Sequence, residues 1–183
     1  MRLFLTWVRQ CVRASTRLIA ALTAVSIGGS VLCLSAGAAE TWTTYENSRF
    51  GYRLSYPSSV FRAQPPSERG DGQTFLAADG STKIVVYGAV NDERFSLAEY
   101  RKTILQQFGG YDQMDYSPQG KTWFVLSGFR GDLIYYQKVM FSCGNRVINV
   151  LSVTFPRVEK KFYEGLIERM EDRFKPGAGE GCR

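Results

Sequence analysis

Residues 65–75, Pro-Pro-Ser-Glu-Arg-Gly-Asp-Gly-Gln-Thr-Phe, bring Glu68, Arg69 and Asp71 into one short stretch between two apolar runs. Pro65-Pro66 favours extended polyproline geometry, and Gly70 and Gly72 permit positive φ, so the 65–73 segment is a shaped excursion. Glu68 and Asp71 could attract a cation, yet two carboxylates without further oxygen ligands make a weak calcium site. Two readings stand: a plain strand connection, or a recognition loop presenting Glu68, Arg69 and Asp71, since long surface loops are where function tends to sit. Arg-Gly-Asp recurs at Arg130-Gly131-Asp132, where a hairpin turn is independently required. Turn chemistry therefore accounts for the tripeptide without any receptor.

Other chemistries are excluded by composition. The 183 residues contain no histidine, which removes Ser-His and Cys-His nucleophile pairs, His-ligated zinc and the commonest general base near neutral pH. There is no Gly-x-Ser-x-Gly elbow, no glycine-rich loop ending in Lys-Ser/Thr and no Asp-x-Asp-x-Asp-Gly calcium loop. Carboxylates do cluster. Asp92-Glu93 precedes a helix start, where acids favour the positive end of the dipole. Glu168, Glu171 and Asp172 sit among Arg169 and Arg173, on what should be the wet face of the last helix, and Arg157, Lys160 and Lys161 also read as a solvated helix face. No catalytic, cofactor-binding or metal-ligating residue is assigned. An enzyme using two carboxylates or a Ser/Lys pair stays as the alternative, and its mark would be a cleft where such groups converge away from bulk water.

The amino end says where the chain goes. Residues 1–38 hold Arg2, Arg9, Arg13 and Arg17, no acidic residue, and an apolar stretch from Leu18 to Leu34. That pattern is a secretory signal, with Ala36-x-Ala38 as the small-residue site and cleavage after Ala38. The stretch is interrupted by Gly28-Gly29-Ser30 and is shorter than the roughly 20 residues of a membrane span. Ser30-Val31-Leu32 before Cys33 is not a lipid-attachment setting. A membrane-tethered protein with an uncleaved signal is the remaining alternative, distinguished by the mass of the mature chain. Four of the 23 basic residues leave with the leader, so the net charge of +6 becomes 19 basic against 17 acidic residues, or +2. The basic balance is then no evidence for nucleic acid or for a lasting membrane partner. Cys11 and Cys33 also leave, and the two remaining thiols, Cys143 and Cys182, predict one disulfide in an exported chain.

These residues must be held by a single domain over 39–183. Phe50 to Tyr56 alternates apolar and polar as a half-buried strand, and shorter strands follow near Thr74–Ala77 and over Lys83–Val90, joined by an Asp79-Gly80 turn. Ser96 with Glu99 forms a capping box for a helix over 96–108. Three long β-type runs, 121–130, 133–142 and 146–155, join through Gly131-Asp132 and Gly144-Asn145, two-residue hairpin connections by composition, and so predict an antiparallel meander. Val147 to Phe155 is apolar on both faces, the mark of a central strand. A last helix over 157–174 shows Val158, Phe162, Leu166, Met170 and Phe174 on one stripe, and Pro176, Gly177 and Gly179 predict a loose tail over 175–183. Tyr135 and Tyr136 must face opposite sides of their strand, while Trp42, Tyr45 and Tyr111 lie at element ends as potential surface anchors. The fold class is α+β, an antiparallel sheet flanked by helices.

An aromatic-Gly strand ending in Tyr-Pro, Arg-Phe-Gly-Tyr-Arg-Leu-Ser-Tyr-Pro at 49–57, followed by a mid-chain helix, a long meander and a terminal helix, resembles the PsbP-like fold group over about residues 45–174. That group is named for an extrinsic photosystem subunit and shared by exported bacterial proteins. The resemblance implies a binding or accessory module and supplies no active-site residue; no residue here matches a site for the photosystem role. The expectation is an exported, non-catalytic domain, secreted or periplasmic, with no cofactor, whose partner is a protein or another envelope component.

Overall fold

The computed structural model describes residues 40–107 and 110–183. The leader, its cleavage residues Ala36 and Ala38, and the expected helix end at Phe108 and Gly109 lie outside the described residues.

Seven strands form one antiparallel sheet in the order β3-β4-β5-β9-β8-β7-β6. They are β3 (Phe61–Ala63), β4 (Gly72–Ala77), β5 (Lys83–Val90), β6 (Gln113–Tyr116), β7 (Trp123–Arg130), β8 (Leu133–Ser142) and β9 (Val147–Pro156). β9 occupies the middle, as a run apolar on both faces requires, and pairs with β5 on one side and β8 on the other. The β7–β8 turn is the expected two-residue connection, with Arg130 opposite Leu133 and Gly131 at φ 55°. The β8–β9 turn is not. Ser142 pairs with Val147, leaving four residues, of which Cys143, Gly144 and Asn145 all have positive φ and curl the chain over Arg146 N–H donating to Cys143 O. β3 and β6 were not anticipated, being short edge strands with little alternation.

One face of the sheet is covered by α2 (Lys160–Asp172) and by a separate hairpin of β1 (Trp42–Glu46) and β2 (Arg53–Pro57). Phe50, Tyr52, Leu54 and Tyr56 pack there against Phe75, Val86, Leu151 and Phe155. The expected strand from Phe50 starts only at Arg53. Asn47 makes a turn ahead of it, accepting the Phe50 and Arg49 N–H groups at 2.8 and 3.1 Å, with Gly51 at φ 76°. The opposite face carries α1 (Leu97–Gln107), begun by the predicted capping box: Ser96 N–H donates to Glu99 Oε2 at 2.8 Å and Glu99 N–H to Ser96 Oγ at 3.3 Å. Ile104 and Tyr100 meet Phe124, Val139, Phe141 and Val150 beneath it.

The α2 stripe differs from expectation. Tyr163, Leu166, Ile167 and Met170 are buried, whereas Val158 is 93 % and Phe162 56 % exposed. A strict i+4 stripe drifts about 40° per step around a helix of 3.6 residues per turn, so Val158 and Phe162 rotate off the face that Leu166 defines. The first turn, Arg157–Glu159, is also a 3-10 turn, which winds more tightly.

The tail is not loose. Lys175 and Arg53 exchange backbone hydrogen bonds at 3.0 and 2.9 Å, and Gly179 and Glu180 donate to Phe50 O and Arg49 O, both at 2.9 Å. A Cβ on Gly177 would run into Phe50 O and the backbone of Tyr52, so the glycine that reads as a breaker is what lets two backbones touch. The fully buried Asn149 accepts the Gly177 N–H at 3.4 Å, and Arg49 grips Glu180 through two nitrogens at 2.6 and 2.9 Å. The Cys143–Cys182 disulfide closes this end, with a Cα–Cα distance of 5.0 Å.

Candidate functional site

Between α2 and the β6 end of the sheet lies an open groove of about 640 Å³. Three features of the chain build it. Glu164, Glu168 and Glu171 recur on one flank of α2 because residues three and four apart share a helix face. Phe129, Ile134, Tyr136 and Phe155 form the floor, all buried and all on the α2 side of the sheet. The opposite wall is Asp115 and Tyr116. A register shift between Met114 and Tyr116 leaves Asp115 as an extra residue in β6. Without it, Met114 and Tyr116 would share a face; with it, Met114 enters the core under α1 while Tyr116, opposite Ser127, turns to the groove with 55 % of its surface exposed.

Electrostatics divide the groove into a locked floor and a less balanced rim. Tyr136 and Lys138, two apart on β8, both reach Glu171: the Tyr136 hydroxyl donates to Oε2, and the Lys138 ammonium donates to Oε1 at 3.0 Å. The Lys138 and Glu171 side chains are only 15 and 22 % exposed. Burial, and after it the Glu171 carboxylate, pushes the Tyr136 phenol far above its ordinary range, so it stays a donor. Lys138 also faces the Trp123 ring at 5.6 Å. At the rim, Lys160 lies 3.3 Å from Glu164 and 4.0 Å from Asp115, and 5.5 Å over the Phe129 ring, which Arg157 also covers at 4.3 Å. The exposed Glu168 carboxylate has no ion-pair or hydrogen-bond partner among the described residues. Thus Glu171 is not on a wet helix face, and Arg157 and Lys160 lie against an aromatic ring.

Known structures share this architecture. The chain is similar to the solution structure of cyanobacterial PsbP (CyanoP) from Synechocystis sp. PCC 6803, at 13 % identity over 79 % of this chain and 96 % of that one, with a TM-score of 0.54. The fold is PsbP-like. The same fold is met in the Saccharomyces cerevisiae Ran-binding protein Mog1p, at 12 % identity over 75 % of this chain and 96 % of that one, with a TM-score of 0.51. No family profile and no curated protein matches the sequence.

Within this PsbP-like domain the 65–73 loop is separate from the groove and contributes no lining residue. Strand β4 begins at Gly72, so the excursion ends at Asp71. Asp71 shapes it: Ser67 Oγ donates to Asp71 Oδ1 at 2.6 Å and accepts the Asp71 and Gly72 N–H groups, both at 3.1 Å. Tyr52 O–H donates to Asp71 O, Asn47 Nδ2 to Gly70 O and Arg49 Nη1 to Arg69 O, at 3.0, 2.9 and 3.0 Å. Glu68 and Arg69 are exposed on that fixed loop. The second Arg-Gly-Asp is the β7–β8 turn, where Gly131 N–H donates to Asp112 Oδ2 at 2.7 Å. Tyr136 is buried while Tyr135, on the other face, lies half-exposed beneath the Arg130 guanidinium at 5.1 Å. The Arg169 and Arg173 guanidiniums lie over the Trp42 ring, at 5.5 and 4.4 Å, and Tyr45 and Tyr111 pack against the two cores. Among the described residues no trio of His, Cys, Asp or Glu is placed to hold a metal ion, and no helix is long and apolar enough to cross a membrane.

Sequence reasoning missed the groove. Its signal was the Glu164, Glu168, Glu171 spacing, which reads the same on a solvated helix.

Proposed function

We propose that this chain is an exported, non-catalytic binding or accessory domain of the cell envelope, secreted or periplasmic, that receives a partner in the groove between α2 and β6. The carrying observation is the groove itself: a half-exposed tyrosine and unpaired acid standing over an apolar floor. Clefts of about 300–1,000 Å³ with an apolar lining and a few placed polar groups are where proteins hold ligands. Export is supported by the basic, then apolar, leader and by the disulfide, a bond that persists in oxidising compartments. That Mog1p is a Ran-binding protein is a use of this fold in protein recognition, which fits a protein partner.

The carboxylate-enzyme alternative has one observation in its favour, the convergence of Asp115, Glu164, Glu168 and Glu171 on one cleft. Against it, the carboxylate best shielded from water, Glu171, is engaged at both oxygens by Tyr136 and Lys138. A group so tied positions side chains; it is not free to exchange protons with a substrate.

The test is photo-crosslinking in the producing cells, with a benzophenone side chain at Tyr116 inside the groove and at Phe162 outside it. A discrete adduct from position 116 and none from 162 is expected, on a chain whose mass lacks residues 1–38. Turnover of an envelope substrate that Glu168→Gln or Glu171→Gln abolishes would overturn the reading, as would equal adducts from both positions; a full-length mass would restore the tethered alternative.

A further inference from the structure

We propose that the groove takes an extended peptide segment of the pattern basic-apolar-basic; this rests on the reading of the groove as the binding surface. Charge sets the sign of the ligand. Four carboxylates, Asp115, Glu164, Glu168 and Glu171, face two ammonium groups, Lys160 and Lys138, which leaves two negative charges without a partner of their own. Arg157 lies on the Phe129 ring and is paired with none of the four. The chain's own Lys160 displays the chemistry the groove offers a cation, two carboxylates and an aromatic face at once.

Geometry sets the spacing. Glu164 and Glu168 are separated by about 6 Å along α2, at a rise of about 1.5 Å per residue. In an extended peptide, side chains i and i+2 lie on one side about 6.6 Å apart. Two basic residues flanking a third therefore meet the acidic row, and the middle side chain points the other way, toward Tyr116 and the Phe129 edge of the floor. The groove's two walls differ: α2 presents the row of glutamates, and β6 presents the Tyr116 ring beside Asp115. An alternating peptide has two such faces, whereas a linear polyamine presents the same face all round.

The experiment is fluorescence anisotropy of the purified protein with labelled Gly-Lys-Phe-Lys-Gly, against Gly-Lys-Ser-Lys-Gly, Gly-Glu-Phe-Glu-Gly and unlabelled spermidine as competitor. The Lys-Phe-Lys peptide should bind best, more weakly as salt rises. Glu168→Gln, at an exposed and unpaired position, should weaken it by up to about fivefold, the scale of one exposed ion pair, with an unchanged urea midpoint. Equal binding of the Glu-Phe-Glu peptide, or an unchanged affinity for Glu168→Gln, overturns the proposal. So does displacement by spermidine at equal or lower concentration than by the peptide itself, which would make the ligand a simple polycation. If position 116 crosslinks a cellular partner while the Lys-Phe-Lys peptide fails to bind, the binding-domain reading stands and only this ligand assignment falls.

Discussion

Replacing Lys138 with Met strips the Glu171 carboxylate of its cation and leaves it the Tyr136 hydroxyl alone. Opposite unit charges about 4 Å apart attract by about 4 kcal/mol at an effective dielectric near 20, but the desolvation of both offsets much of it. Breaking a fully buried pair costs about 3–5 kcal/mol. Here the side chains keep 15 and 22 % of their exposure, so solvent relieves part of the stranded charge and a cost of about 2 kcal/mol is expected. Glu171→Gln should cost about 1–2 kcal/mol, because the amide oxygen still accepts from Tyr136 while the charge is lost. The assay is urea unfolding of the two single variants and the double. With a slope of about 2 kcal/mol per molar urea, Lys138→Met lowers the midpoint by about 1 M. The double variant should cost about 1 kcal/mol less than the two singles together, and that coupling should survive about 0.5 M salt. The exposed Arg53–Glu46 pair, 59 and 55 % exposed, is the control that salt abolishes. Single costs that add to within about 0.5 kcal/mol would refute the account of Glu171 as a clamped, structural carboxylate.

Cys182→Ser opens a loop whose ends are 39 residues apart, worth about 4 kcal/mol in the chain-entropy account, and should lower the calorimetric midpoint by about 10 °C. A fall below about 3 °C would mean that the glycine packing and backbone bonds of residues 175–180 hold the tail unaided. Burial raises the phenols of Tyr52, Tyr87, Tyr100, Tyr111 and Tyr136 above their ordinary value near 10. The unfolded chain releases those protons first, so stability is intact below about pH 10 and falls above it by about 1.4 kcal/mol per pH unit for each tyrosine. Tyr136→Phe should flatten that alkaline decline by about a fifth, read from urea midpoints between about pH 10 and 11.5; an unchanged slope would show that Tyr136 ionises as freely folded as unfolded.

How much of this was legible in the sequence depended on the range of the cause. The β7–β8–β9 meander, the central place of β9 and the Ser96–Glu99 cap were readable because alternation, two-sided burial and a four-residue motif act within one segment. The disulfide was readable from the two thiols outside the leader-like segment, Cys143 and Cys182. The groove was not readable, because Glu171 is defined by Tyr136 and Lys138, 35 and 33 residues upstream, and Tyr116 by a bulge in a four-residue edge strand. The tail deceived for a related reason: Gly177 and Gly179 signal freedom to a local reading, while their tertiary use is close approach to Phe50 and Tyr52. The loop at 65–71 looked like the chemical part of the molecule, and Asp71 turned out to be spent on Ser67.

The middle of the sheet is synthesised late. β3, β4 and β5 form a ribbon that stays incomplete until β9 arrives some 60 residues downstream, and the Gly177–Asn149 hydrogen bond and the Cys143–Cys182 disulfide cannot form until residues 177–182 have been made. A chain made amino end first therefore cannot complete this sheet until β9 has been made. On the export reading proposed above, that order of synthesis leaves the amino-terminal strands without their central partner while they cross the membrane.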